Sequence, residues 1–318
     1  MTPGWLAHGH DEPSTRLTET DGPRGDRSRV ATWVRTHQIT AFLVWFFPVA
    51  WGIASIPLVA QRTLALDLPL EAFLIPATLL GLLLPALAIT WLVDGQAGID
   101  LLRRQALRLR ASIGWYALVL LAVPLTAVAL ATIVYGPPNL TSSQWLSAIM
   151  SGLIVQSAIG FVTINLWEET AWMGFVQVRL QARRGIWLGA VLTAGLFTLQ
   201  HMPLFVDNGL AIVIILPLFF ILAIPFRALL AWIFNRTSSL FLVGLLHAVS
   251  DGTGSGGFAP GFLPRLYDSG DISLFANLAT VLVGLAVIVA TRGRLAAQAH
   301  PAQRVANVIS PSAVDPVS

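Results

Sequence analysis

"NLWEETAWMGF", residues 165–175, places two adjacent carboxylates, Glu168 and Glu169, inside an apolar run of membrane length. A charged side chain at the centre of a membrane helix costs roughly 2.5–3.5 kcal/mol on insertion scales. The flanks on both sides stay apolar, so the pair has to be buried among other helices, and some chemistry has to outweigh that cost.

The rest of the chain carries the same membrane signature. Of its 318 residues 55% are hydrophobic and 11% charged, and the mean hydropathy is +0.73. Soluble domains carry about 25% charged residues, so the composition predicts an all-α integral membrane protein. There is no cysteine, which excludes disulfides, a cysteine nucleophile and thiolate metal sites. The basic residues are 19 arginines without a lysine, against 16 acidic residues, and the pI is about 10.1. A high pI can mark nucleic-acid or anionic-lipid binding. Here the arginines cluster in short loops beside apolar runs, which is the pattern of membrane topology, so no nucleic-acid partner is expected.

Eight apolar segments follow from the hydropathy pattern: 40–60, 73–93, 113–134, 145–169 (continuing helically towards Arg179), 186–201, 210–226, 240–251 and 273–290. The fifth and seventh are short, as befits helices packed inside a bundle. With the N-terminus inside, 17 arginines fall on the inner side, Arg179 and Arg227 among them, and only Arg62 and Arg265 fall outside. The expected architecture is a bundle of about eight transmembrane helices over residues 37–291 with both termini cytoplasmic. Residues 1–36 and 292–318 read as disordered cytoplasmic tails. No apolar stretch precedes about residue 40, so no cleavable signal is expected. "RRQALRLR" (103–110) reads as a basic stretch along the inner membrane surface, and "DGTGSGGFAPGF" (251–262) as a mobile outer loop.

Few ionisable groups remain at membrane depth: Glu168, Glu169, His201, His247 and Asp251. Such groups default to a functional reading. Glu168 precedes Arg184 by 16 residues, and His201 follows Gly185 by 16. An antiparallel hairpin at that turn therefore puts both about 24 Å from it. Adjacent helical positions diverge by about 100°, so Glu168 and Glu169 cannot do the same job. His247 and Asp251, four apart, share a face. In a desolvated cavity a glutamate is a competent general base towards water, and a neighbouring histidine can share the water's proton or support an oxyanion. The metal alternative is a Zn²⁺ held by a set drawn from Glu168, His201, His247 and Asp251, with an open position for water. Both routes end in amide hydrolysis.

"EETAWMGF" (168–175), "FTLQH" (197–201) and "HAVSD" (247–251) resemble, in that order, the three motifs of the CAAX protease and bacteriocin-processing (Abi) family of intramembrane endopeptidases. Those motifs run E-E-x-x-x-R, F-x-x-x-H and H-x-x-x-N or -D, and the resemblance covers about residues 145–252. It implies a bundle of about eight spans with an intramembrane catalytic cavity. It further implies that Glu168 and His201 activate water, that Glu169 supports them, and that His247 and Asp251 stabilise the oxyanion. Two positions depart from the pattern. Met173 stands where the motif has arginine, so Glu169 must be neutralised elsewhere, with Arg179 or a histidine as the nearest candidates. Asp251 stands where asparagine is commoner; a carboxylate orients a histidine or binds metal better than it donates to an oxyanion, which tilts the reading towards metal assistance.

The expected partners are the lipid bilayer and a membrane-associated peptide or protein substrate. The all-arginine, Ala-, Leu- and Gly-rich composition points to a bacterial inner membrane. Two other classes fit parts of the same pattern. One is a proton- or cation-coupled transporter relaying through Glu168, Glu169 and Asp251. The other is a catalytically silent relative acting as a binding or immunity protein.

Overall fold

The computed structural model of the chain describes residues 24–255 and 259–295, and among these every regular element is helical. The helices are α1 (Arg24–Thr36), α2 (Gln38–Ala54), α3 (Ile56–Leu64), α4 (Glu71–Ala106), α5 (Ile113–Tyr135), α6 (Ser142–Arg184), α7 (Ile186–Gln200), α8 (Met202–Thr237), α9 (Leu240–Thr253), α10 (Phe262–Leu266) and α11 (Leu274–Ala290).

Four of them, α4, α5, α6 and α8, are long and apolar enough to cross a membrane, or five if α1 and α2, bent by 102° at His37, count as one broken span. Helices α7, α9 and α11 are apolar but shorter. Each of the eight predicted apolar segments is thus helical, with 40–60 divided between α2 and α3 at Ser55, while fewer than eight reach spanning length by themselves.

Local chemistry sets the ends. A capping box starts α6: Gln144 N–H donates to Thr141 Oγ1, and Thr141 N–H donates back to Gln144 Oε1. Gly185, at φ +80°, turns α6 directly into α7. Ser239 caps α9 by accepting from Leu242 N–H at 3.1 Å. The short helix α9 is largely buried, packed among α5, α6 and α8. It approaches α6 through Gly244, where a Cβ would lie 3.0 Å from the Leu166 backbone. That closeness brings "HAVSD" against the glutamate pair.

Two expectations change. Residues 24–36, assigned above to a tail, form α1, because Val30, Trp33 and Val34 recur at helical spacing and Arg35 Nε donates to the Leu92 carbonyl of α4. The remainder of the two tails, residues 1–23 and 296–318, lies outside the described residues. The glycine-rich segment after Asp251 also differs from a free outer loop. Helix α9 continues to Thr253, Gly261 backs onto the Gly254 carbonyl, and Phe262 and Leu263 are buried; residues 256–258 lie outside the described residues.

Gly284 of α11 sits against α8 so closely that a Cβ would fall 2.5 Å from the Pro225 carbonyl oxygen. Backbone cannot yield as a side-chain tip can. Gly284→Ala is therefore expected to destabilise the protein by about 1–3 kcal/mol, the usual cost of overpacking, measured as a lowered unfolding midpoint in detergent micelles.

Candidate active site

The glutamate pair lies on an α-helical turn, Leu166–Ala171, between two wider π-type stretches, Phe161–Asn165 and Trp172–Gln177. Such insertions shift the faces of a helix and are frequent at functional sites. Both glutamates are buried, and they point into different surroundings.

Glu168 faces a cavity of about 470 Å³. Its Oε1 accepts from Gln200 Nε2, and Gln200 Oε1 accepts in turn from Trp172 Nε1 at 2.5 Å. An indole is only a donor, so this contact fixes the orientation of the Gln200 amide and aims its NH₂ at Glu168. Trp172 is itself fully buried and clasped edge-on by Phe42 and Phe46 of α2. The other carboxylate oxygen, Oε2, lies 3.8 Å from His247 Nδ1.

Glu169 faces away from the cavity, into a fully buried network. Arg227 NH1 donates to both its oxygens at 2.8 and 2.9 Å. Arg227 Nε and NH2 donate to Gln177 Oε1, and Gln177 Nε2 donates back to the Arg227 carbonyl. His247 Nδ1 donates to Glu169 Oε1 at 3.0 Å.

The two histidines enter the cavity from α9 and the end of α7. His201 Nδ1 donates to the Phe197 carbonyl at 2.8 Å, which leaves Nε2 with its lone pair. His247 Nε2 lies 3.8 Å from Asp251 Oδ2. Asp251 is half exposed and accepts from Asn165 Nδ2 at 2.9 Å. Glu168, His201, His247 and Asp251 thus line one cavity, together with Asn165 and Gln200. Its remaining wall is largely apolar and includes Phe46, Leu82, Phe197, Phe219 and Phe226. Of the five residues singled out in the sequence, only Glu169 is turned out of it.

Around this cavity the comparison with known families gives one answer: residues 150–253 match the family model described as type II CAAX prenyl endopeptidase Rce1-like. This segment is Rce1-like. It coincides closely with the 145–252 stretch that carries the three motifs, so the resemblance read from them is borne out there. No curated protein matches the chain. The Rce1-like segment supports a CAAX-type intramembrane endopeptidase in general. Together with the long apolar helices it marks the chain as an integral membrane protein.

Three sequence readings are corrected. Arg179 is not the partner of Glu169; it binds Asp94 at 3.0 Å and Gln38 at 2.6 Å, and stacks on Phe175. Arg227 is not an inner-surface marker but a buried residue inside the 212–237 stretch of α8, with apolar residues on both sides. The continuing run "ALLAWIF" (228–234) was the available signal, since it makes Arg227 an interior position. The zinc set of Glu168, His201, His247 and Asp251 is not assembled: among the described residues no three His, Asp or Glu side chains are arranged to hold a metal ion. The Phe197 ring packs against both imidazoles, with centroids 4.6 and 5.8 Å away.

Gln200 was missed because a glutamine beside a motif histidine has no signature of its own. Replacing it removes the acceptor of a buried indole N–H and the donor to Glu168. Gln200→Leu is expected to cost about 1–3 kcal/mol, the penalty of an orphaned buried polar group, read from unfolding in detergent.

Proposed function

We propose that this chain is an intramembrane endopeptidase that hydrolyses a peptide bond of a membrane-associated protein or peptide, with Glu168 as general base. The observation that carries the reading is that Glu168, His201 and His247, from three helices, line one largely apolar cavity.

In the proposed mechanism a water enters between Glu168 and His201. The bare Nε2 of His201 accepts one hydrogen bond from it and orients it, and Glu168 takes its other proton as the oxygen attacks the scissile carbonyl carbon. The carbonyl π-electrons move to oxygen, and that oxyanion lies towards the His247–Asp251 side, where His247, as the imidazolium with its Nδ1–H on Glu169, donates its Nε2–H to it. Asp251, an acceptor held by Asn165, orients the imidazole rather than donating to the oxyanion itself. The tetrahedral intermediate collapses with cleavage of the C–N bond, and the proton on Glu168 passes to the leaving nitrogen. Every proton is accounted for within the glutamate, the water and the substrate. No step is routed through zinc, since among the described residues no three His, Asp or Glu side chains are arranged to hold it.

We further read the chain as resident in a bacterial inner membrane with both termini cytoplasmic. In this reading the short helices α7, α9 and α11 traverse the interior of the bundle, so that eight segments cross in all. The paucity of outer arginines supports this arrangement.

In proteoliposomes, a membrane-anchored test peptide is expected to be cut by the wild-type protein. Glu168→Gln should lower the rate about 10²–10⁴-fold, the usual worth of a general base, and His201→Ala should also abolish cleavage, both with unchanged elution and unfolding midpoints. Wild-type cleavage by Glu168→Gln would remove the water-activating role. Dialysis against a strong chelator is expected to leave the wild-type rate within about twofold, because no protein ligand set is lost.

A further inference from the structure

Glu169 is a buried carboxylate with no cation one turn on, where Met173 stands, and Arg179 of the same helix is bound to Asp94. Its counter-charge comes instead from α8, where Arg227 has no solvent exposure. All three nitrogens of this guanidinium are engaged, NH1 on Glu169 and Nε and NH2 on Gln177. The arrangement bears on His247, whose Nδ1 lies near two carboxylates, Glu169 at 3.0 Å and Glu168 at 3.8 Å. A carboxylate only accepts, so whichever glutamate is the partner, the proton sits on Nδ1. Which glutamate wins decides whether Glu168 remains free to face the cavity.

We propose that Arg227 is a positioning residue. By holding Glu169 as a fixed anion next to His247, it keeps the Nδ1–H bonded to Glu169, sets the tilt of the ring towards Asp251, and leaves Glu168 unshared. The charge thus acts on the cavity-facing imidazole through one intervening carboxylate. The bond pattern can be tested without catalysis; only its kinetic consequence rests on the endopeptidase reading above.

The test uses the full chain in detergent micelles, labelled with ¹⁵N-histidine, with the His247 signal identified by its loss in His247→Asn. In the wild type the Nδ1–H of His247 is expected as a persistent, slowly exchanging cross-peak. In Arg227→Met that peak should disappear into exchange, with kcat on the test peptide falling about 10–100-fold, as when the outer partner of a functional histidine is removed, and KM staying within about twofold. Arg227→Lys, which keeps the charge but loses the fork on Gln177, should retain the peak and an intermediate kcat.

If Arg227→Met does not fold because Glu169 is orphaned, Glu169→Gln/Arg227→Met is the working variant, since it leaves no unpaired buried charge. It is expected to fold, yet to lack the Nδ1–H peak and to stay slow. A merely structural ion pair predicts the reverse, activity recovering with stability. A folded variant without Arg227 that keeps the wild-type His247 peak, or a folded double variant with wild-type kcat, overturns the proposal. A wild type that cleaves nothing, with the peak still lost in Arg227→Met, upholds the positioning role and removes the endopeptidase reading.

Discussion

Taking the Glu169 carboxylate and the Arg227 guanidinium out of water costs several kcal/mol for each ion, and Coulomb attraction repays this only when the surrounding hydrogen bonds are complete. Here they are. Glu169 accepts from Arg227 and His247, and Gln177 takes the rest of the guanidinium while returning a bond to the Arg227 carbonyl. Three helices, α6, α8 and α9, are tied at one point by this constraint. A shift of α8 by even one residue would leave a bare charge inside the bundle. The packing of the inner helices is therefore bound to the polar network, and the cavity wall is built on it.

The same constraint separates two chemically identical neighbours. Glu169 is saturated by strong donors and turned from the cavity. Glu168 has one amide donor, Gln200, and an oxygen directed towards open space and His247. The wider turns before and after the pair allow α6 to present both residues to partners that a regular helix would not face in the same way. Asp251 and Asn165 form a further pair at the more exposed edge of the cavity, so its polarity is graded from a sealed ion pair to a half-exposed carboxylate.

Each apolar run of the sequence falls in helix, because a membrane helix records itself in hydropathy, though α4 and α8 extend more than ten residues beyond their runs. The motifs in "EETAWMGF", "FTLQH" and "HAVSD" singled out Glu168, Glu169, His201, His247 and Asp251, without telling that Glu169 lies outside the cavity, and the 100° step gave the divergence of the two glutamates. Arg227 looked like one more inner-side arginine because the run before it was ended at Phe226, although the apolar residues 228–234 carry the helix on to Thr237 and place Arg227 inside. Other features left no local trace. Asp94, Gln38 and Arg179 are far apart in sequence and meet only through the contact of α2, α4 and α6. The metal alternative rested on a ligand count. Two histidines and two carboxylates at compatible depths satisfy that count, but among the described residues packing does not bring three of them together around one point.

By itself, then, the sequence determined that this is a helical membrane protein with a small set of ionisable residues buried on three segments, because hydropathy and residue spacing are local quantities that survive without a fold. The tertiary structure alone decided which of those residues share a cavity, which glutamate is neutralised and by what. The physical reason is that a buried charge is defined by its partner, and the partner of Glu169 lies 58 residues away on another helix.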